Sequence, residues 1–192
     1  MLKILGGVAK GFPIVTPKSN STRPTSVLIK RKLFDWRQNL EGFSFIDLCA
    51  GSGAMGFEAL SRGAEKIVVN DSMRGSFLTL KKNQEELIRA FKFDLASIIV
   101  SNSDAKNWVL KELKYHFPDS EDVILYIDPP YEEHALYFSL LESLKELGFR
   151  GEIWVESDRL KGPKLQDIQQ AFHSIIKTVE QGDHFVVIGK LG

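Results

Sequence analysis

The stretch Val123-Ile124-Leu125-Tyr126-Ile127-Asp128-Pro129-Pro130-Tyr131 decides how this chain is read. Its first five residues form an apolar, partly β-branched run that stops abruptly, the pattern of a buried central strand. Two consecutive prolines then fix φ twice and remove two backbone donors, so the chain leaves the sheet as a stiff arm. Asp128 stands just before the prolines and Tyr131 just after them. The Asp128 carboxylate and a free Pro129 carbonyl can accept the two N–H bonds of an exocyclic amine. Pro130 stiffens the arm, and Tyr131 offers a face on which a planar ring stacks. Pro-Pro also simply ends strands, with a tyrosine filling a gap. The flanking sequence separates the two readings.

Outward from this run, strands and helices alternate from residue 43 to the C-terminus, the pattern of a doubly wound α/β sheet. Strands are predicted near 43–48, 66–71, 96–100, 122–128, 151–157, 173–180 and 184–190. Helices are predicted near 54–62, 73–90, 104–116, 133–147 and 163–171. Gln181-Gly182-Asp183 is too short for a right-handed crossover, so the last two strands should pair antiparallel. A mostly parallel seven-stranded sheet with a C-terminal antiparallel hairpin is the Rossmann-like arrangement of class I methyltransferases. The dehydrogenase variant lacks that hairpin.

The first strand runs into Asp47-Leu48-Cys49-Ala50-Gly51-Ser52-Gly53-Ala54-Met55-Gly56. Gly51-x-Gly53-x-x-Gly56 between a strand and a helix is a cofactor loop in its meaningful context. Gly51 and Gly53 permit positive φ, so the backbone of Ala50, Gly51, Ser52 and Gly53 can approach a ligand; Gly56 lets the helix pack on a strand. Asp71 ends the second strand and is placed to accept two ribose hydroxyls. A dinucleotide would set its pyrophosphate at the helix N-terminus, where Asp47 adds unhelpful negative charge. S-adenosylmethionine has no phosphate, and its ammonium can pair with Asp47. The Asp-x-x-x-Gly-x-Gly spacing therefore favours the methyl donor. Asn102-Ser103-Asp104-Ala105 follows the third strand. In methyltransferases an acid here meets the adenine amine, and the next backbone N–H (Ala105) a ring nitrogen. Asp104 is also a good N-cap, and the two roles can coexist.

Composition sets the frame. The 192 residues suit one domain with a small appendage, and 43% hydrophobic with 26% charged residues is ordinary for a globular protein. A single cysteine, Cys49, excludes an internal disulfide and reads as a core residue in a reducing compartment, so a cytoplasmic protein is expected; a monomer is expected as well. No apolar run approaches membrane-spanning length, so no membrane partner is expected. The four histidines (116, 134, 173 and 184) show no metal-ligand spacing, so no metal is expected. Glu156 reads as a structural polar contact. Net charge is zero, but residues 1–40 carry eight Lys and Arg against Asp35 alone. A basic extension (1–40) on an acidic body (41–192) points to a polyanion. Within it, 2–8 and 12–15 read as short strands joined at Lys10-Gly11. Thr25 or Ser26 can cap a helix running to about Arg37.

Asp128-Pro129-Pro130-Tyr131 resembles the Asp/Asn-Pro-Pro-aromatic motif of amino-directed methyltransferases. With Ile4-Leu5-Gly6-Gly7, Thr22-Arg23-Pro24-Thr25, Leu33-Phe34-Asp35-Trp36, the segment from Ala50 through Ala64, and Val155-Glu156-Ser157, nearly the whole chain resembles one family. That family is the bacterial 16S ribosomal RNA guanine-N2 methyltransferases, and the Arg-Pro-Thr arm is its specific part. The resemblance implies S-adenosyl-L-methionine as cofactor and 16S rRNA, the small subunit or an assembly particle as partner. It implies catalysis by Asp128, Pro129, Pro130 and Tyr131, and RNA contacts from Lys10, Arg23, Thr25, Lys30 and Arg31. The chain departs from the family at Ser26-Val27-Leu28, where Thr-Asp-Arg is usual, and at Arg31, where an acid is common. The rival readings are a DNA adenine or cytosine amino-methyltransferase, a protein glutamine methyltransferase and a non-catalytic RNA-binding module.

Overall fold

A computed structural model of the protein describes residues 2–17 and 27–192. Two short strands, β1 (Leu2–Lys3) and β2 (Pro13–Ile14), pair antiparallel and precede helix α1 (Val27–Trp36). The expected caps, Thr25 and Ser26, lie outside the described residues. The body then alternates β3 (Ser44–Asp47), α2 (Ala54–Ser61), β4 (Lys66–Asn70), α3 (Arg74–Phe91), β5 (Ile98–Ser101) and α4 (Ala105–His116). It continues through β6 (Val123–Ile127), α5 (His134–Glu146), β7 (Glu152–Asp158), α6 (Leu165–Gln170), β8 (Ser174–Gln181) and β9 (His184–Lys190).

The sheet order is β5-β4-β3-β6-β7-β9-β8. Strands β3 to β7 are parallel, whereas β9 is antiparallel to both β7 and β8. This is the α/β methyltransferase arrangement, with β6, the strand that runs into Asp128-Pro129-Pro130-Tyr131, at its centre. Both faces of the sheet are covered, as an all-parallel core requires. Successive residues of β3 point opposite ways. Phe45 packs with Ile29, Leu33, Phe34 and Phe57 under α1 to α3, while Ile46 packs with Trp108, Val109, Leu140 and Ile168 under α4 to α6.

Two local expectations shift. The N-terminal strands are shorter than predicted because their backbone donors are used elsewhere. Leu5 N–H donates to Glu58 Oε2 at 2.7 Å, Val8 N–H to the Ser61 carbonyl and Ala9 N–H to Ser61 Oγ, so beyond the Ile4–Phe12 backbone bond the chain docks on α2. Strand β5 starts two residues late because Leu95–Ser97 is a 3₁₀ turn, capped by Asp94, which accepts from Ala96 N–H.

Candidate active site

Parallel strands all end at one edge of a sheet, and here an aspartate closes each strand or follows within three residues. Asp47 closes β3, Asp71 follows β4, Asp104 precedes α4, Asp128 follows β6 and Asp158 closes β7. All five line one cavity of about 840 Å³, together with Glu132 and Glu133. Among the described residues that line it there is no lysine or arginine; His184 is the one side chain there that can carry positive charge. Such a site suits a cationic ligand and repels a pyrophosphate.

The cofactor half is built by backbone turns held by side chains. Gly51 and Gly53 take φ values of 55° and 79°, the left-handed region that glycine enters without strain. Asp71 grips this loop: one oxygen accepts Gly51 N–H at 2.8 Å and the other Met73 N–H at 2.8 Å. Each carboxylate oxygen has two acceptor directions, so Asp71 retains capacity for hydroxyls. Asn70, fully buried, donates to the Leu48 and Ser103 carbonyls and accepts from Ser103 N–H, tying three strand ends together. Asp104 caps α4 by accepting Asn107 N–H at 3.0 Å, and Ala105 beside it lines the cavity. A Cβ on Gly56 would stand 2.4 Å from Val69 Cγ1, which is the close helix–strand approach expected of this position. Gly53 is a correction. It turns the chain into α2, its Cβ position is filled by Phe57 and Leu80, and it does not line the cavity.

Asp47 is buried at the floor and accepts Gly56 N–H at 3.3 Å. Burial raises its carboxyl to about 8, the Gly56 bond opposing this and Asp71 and Glu156 adding to it. The site thus holds an acid whose ionised form needs a positive partner.

The other half is the Pro-Pro arm. Asp128, Pro129, Pro130 and Tyr131 all line the cavity. The Pro129 carbonyl, expected to be free, is a correction: the buried Tyr137 hydroxyl donates to it at 3.2 Å. One lone pair remains, and Tyr137 aims it. Tyr131 is held by its hydroxyl, 3.2 Å from Glu156 Oε1 and 3.1 Å from His184 Nδ1. Burial and nearby carboxylates push the Tyr131 and Tyr137 hydroxyls well above the usual tyrosine range, so both stay protonated. Cys49 lines the cavity with its thiol raised by burial and by Asp128, which keeps it protonated.

The expected RNA-facing residues separate. Lys10 and Arg31 are exposed, and Arg23 and Thr25 lie outside the described residues. Lys30 is a correction: it is 1% exposed, and its ammonium sits 3.2 Å from Glu58 Oε2 and 3.3 Å from the Lys3 carbonyl. Glu58 also accepts Arg62 Nε at 2.8 Å. Lys30 falls on the stripe Ile29, Lys30, Leu33, Phe34, the buried face of α1. That spacing, and Glu58 as the one charge in an otherwise uncharged α2, are signals in the sequence that could have revealed the pair. Thr16, Pro17, Asp158 and His184 also line the cavity and carry no sequence motif.

The family model described as "Conserved hypothetical protein 95" matches residues 2–188. The chain belongs to this family. Ribosomal RNA small subunit methyltransferase D of Escherichia coli (strain K12) is 30% identical over 160 residues, covering 82% of this chain and 75% of that protein. Among solved structures, yhhF from Escherichia coli superposes with a TM-score of 0.74 at 23% identity, covering 99% of this chain and 97% of that one. The T. thermophilus 16S rRNA N2 methyltransferase RsmC, solved with AdoMet and guanosine, gives a TM-score of 0.64 at 18% identity, over 91% of this chain and 45% of its own. These likenesses establish the class I methyltransferase fold.

Proposed function

We propose that this chain is an S-adenosylmethionine-dependent methyltransferase acting in the cytoplasm on the exocyclic N2 of a guanine in 16S rRNA, free or within the small subunit. One observation carries the reading. The glycine loop with its acids and the Asp-Pro-Pro-Tyr arm open into the same acidic cavity. The methyltransferase D relative, matched over three quarters of its length, supports rRNA as the substrate class. A DNA or protein amine has no comparable support.

The lining fits the cofactor, since a sulfonium and an ammonium are cations and the walls carry acids. The backbone of Ala50, Gly51 and Ser52 would hold it, with Asp71 on the ribose, Asp47 on the ammonium, and Asp104 with Ala105 N–H on the adenine. When bound, S-adenosylmethionine supplies an electrophilic methyl group.

The chain's own residues prepare the amine. The N2 lone pair of guanine is delocalised into the ring, so the amine is a poor nucleophile. Accepting its two protons at Asp128 and at the remaining lone pair of Pro129 favours a pyramidal nitrogen and directs its lone pair. Positive charge developing on nitrogen is stabilised by the Asp128 carboxylate, and in-line alignment supplies much of the rest. Asp128 or water takes the proton afterwards. An unpaired or flipped guanine stacks on Tyr131. The extension, residues 1–40, acts as an RNA arm in which Lys10 and Arg31 meet phosphates.

Mass mapping of modified nucleosides in 16S RNA, with and without the protein, tests the substrate. Asp128→Ala should abolish turnover and leave cofactor affinity nearly intact. A variant that loses only cofactor binding contradicts the assigned role.

A further inference from the structure

Methyl transfer as derived above uses the face of Tyr131 and has no task for its hydroxyl, since a phenylalanine stacks equally well. Yet that hydroxyl is the middle of a hydrogen-bonded chain. Glu156 is fully buried on β7 and accepts the Tyr126 hydroxyl on one oxygen and the Tyr131 hydroxyl on the other. His184, the first residue of β9, lies against the Tyr131 ring at a centroid distance of 5.8 Å and brings Nδ1 to 3.1 Å from its oxygen. His184 is 33% exposed and lines the cavity.

Proton counting orders this chain. Burial raises the Glu156 carboxyl to about 7, with the two tyrosine hydroxyls opposing this; above that pH it is ionised and only accepts, so both tyrosines donate to it. A hydroxyl has one proton, so at the Tyr131 oxygen the donor must then be His184 Nδ1–H. Glu156 Oε1 at 3.9 Å and Asp158 Oδ2 at 4.0 Å from Nδ1 favour a proton on that nitrogen. Glu156 and His184 are carried by neighbouring strands, β7 and β9, whose ladder pairs Glu156 with Val186 and Asp158 with His184. The clamp is therefore built on rigid backbone. Fixing a ring by its outer end limits its tilt, and a stacked base needs its reacting nitrogen held to within a fraction of an ångström.

We propose that His184 is a positioning residue for methyl transfer, acting through Tyr131: with Glu156 it holds the hydroxyl and so sets the plane of the ring on which the target base stacks. The inference rests on the methyltransferase reading.

The test is a double-mutant cycle on the full chain with 16S RNA or small subunits as acceptor and labelled S-adenosylmethionine as donor. His184→Ala should lower kcat about tenfold with cofactor Kd unchanged, the scale of a slightly misplaced reactant. His184→Asn, whose amide N–H can occupy the place of Nδ1–H, should restore activity to within about twofold, by the same donor geometry. Tyr131→Phe should cost about as much as His184→Ala, and the double variant no more than Tyr131→Phe alone. Nitrogen NMR of the histidine ring at pH 9, where Glu156 is ionised, should show the Nδ1–H tautomer in wild type. Additive losses, a loss confined to cofactor Kd, no rescue by asparagine, or the Nε2–H tautomer would each overturn the proposal. Wild-type protein that transfers no methyl group overturns the functional reading itself, a distinct outcome because it precedes any variant.

Discussion

Replacing Glu58 by glutamine tests how the N-terminal extension is attached. Glu58 is fully buried and neutralises two cations, Lys30 at 3.2 Å and Arg62 at 2.8 Å, while accepting Leu5 N–H at 2.7 Å. Glutamine keeps the shape, removes the charge, and turns an NH₂ group toward donors that need an acceptor. Breaking a buried pair from one side costs about 3–5 kcal/mol. An independent ceiling comes from Lys30, whose ammonium is already pulled below its ordinary value of 10.5 by burial and held up by Glu58. Stripping its proton at pH 7 from that ordinary value costs about 5 kcal/mol, so the chain never has to bear more than this for that ammonium. For a chain of this size the loss corresponds to a Tm lower by roughly 6–20 °C. Urea unfolding at pH 7 measures it directly. In the variant Lys30 is depressed further, so the unfolded chain binds the proton more tightly than the folded one. The deficit shrinks as pH rises from 7 toward 10.5. Lys30→Met, which leaves Glu58 with Arg62 and Leu5, should cost less, about 1–2 kcal/mol. Because Leu5 and Lys30 hang the extension on α2, RNA affinity should fall more than cofactor affinity. A Glu58→Gln protein within about 1 kcal/mol of wild type at pH 7, or a gap that widens with pH, would refute the reasoning.

Three further outcomes are expected. Asp47, raised to about 8, keeps a proton in the folded state that the unfolded chain releases near 4, so wild-type stability falls as pH rises from 4 to 8. Asp47→Asn should remove that slope and be the more stable protein at pH 8 while losing cofactor affinity by calorimetry, and parallel stability curves would contradict it. Exchanging exposed Lys10 and Arg31 for alanine should flatten the plot of log RNA affinity against log salt by a slope of roughly 1–2 with no change in Tm; an unchanged slope removes them from the RNA face. Gly56→Ala drives a methyl group into Val69 Cγ1 and should cost about 1–3 kcal/mol, with partial recovery on adding Val69→Ala; no recovery would place the strain elsewhere.

Lys30 and Pro129 show where reading from sequence stopped. Neighbouring residues alone make Lys30 one of a basic run, Lys30-Arg31-Lys32, and so point to a phosphate-binding cation. Its partner Glu58 lies in another helix, and only packing of α1 on α2 joins them. Likewise Arg37 is paired with Glu152 and Lys32 donates to the Glu180 carbonyl, so part of the extension's positive charge is spent inside the protein. The Pro129 carbonyl looked free because nothing in the chain near it announces the Tyr137 hydroxyl.

The order of strands and helices, the glycine loop, the acids at the strand ends and the stiff Pro-Pro arm were determined by the sequence alone. Each follows from periodicity, turn chemistry or backbone restriction within a few residues. The tertiary structure alone decided that Asp71 grips Gly51, that Lys30 is consumed by Glu58, and that Glu156 and His184 clamp Tyr131. The Tyr131 and His184 partners are 53 residues apart, as are Leu5 and Glu58. Such pairs exist only because the sheet order brings β6, β7 and β9 side by side and stacks α1 on α2. Side-chain hydrogen bonds reach about 3 Å, and local sequence carries no record of which distant strand will lie within that reach.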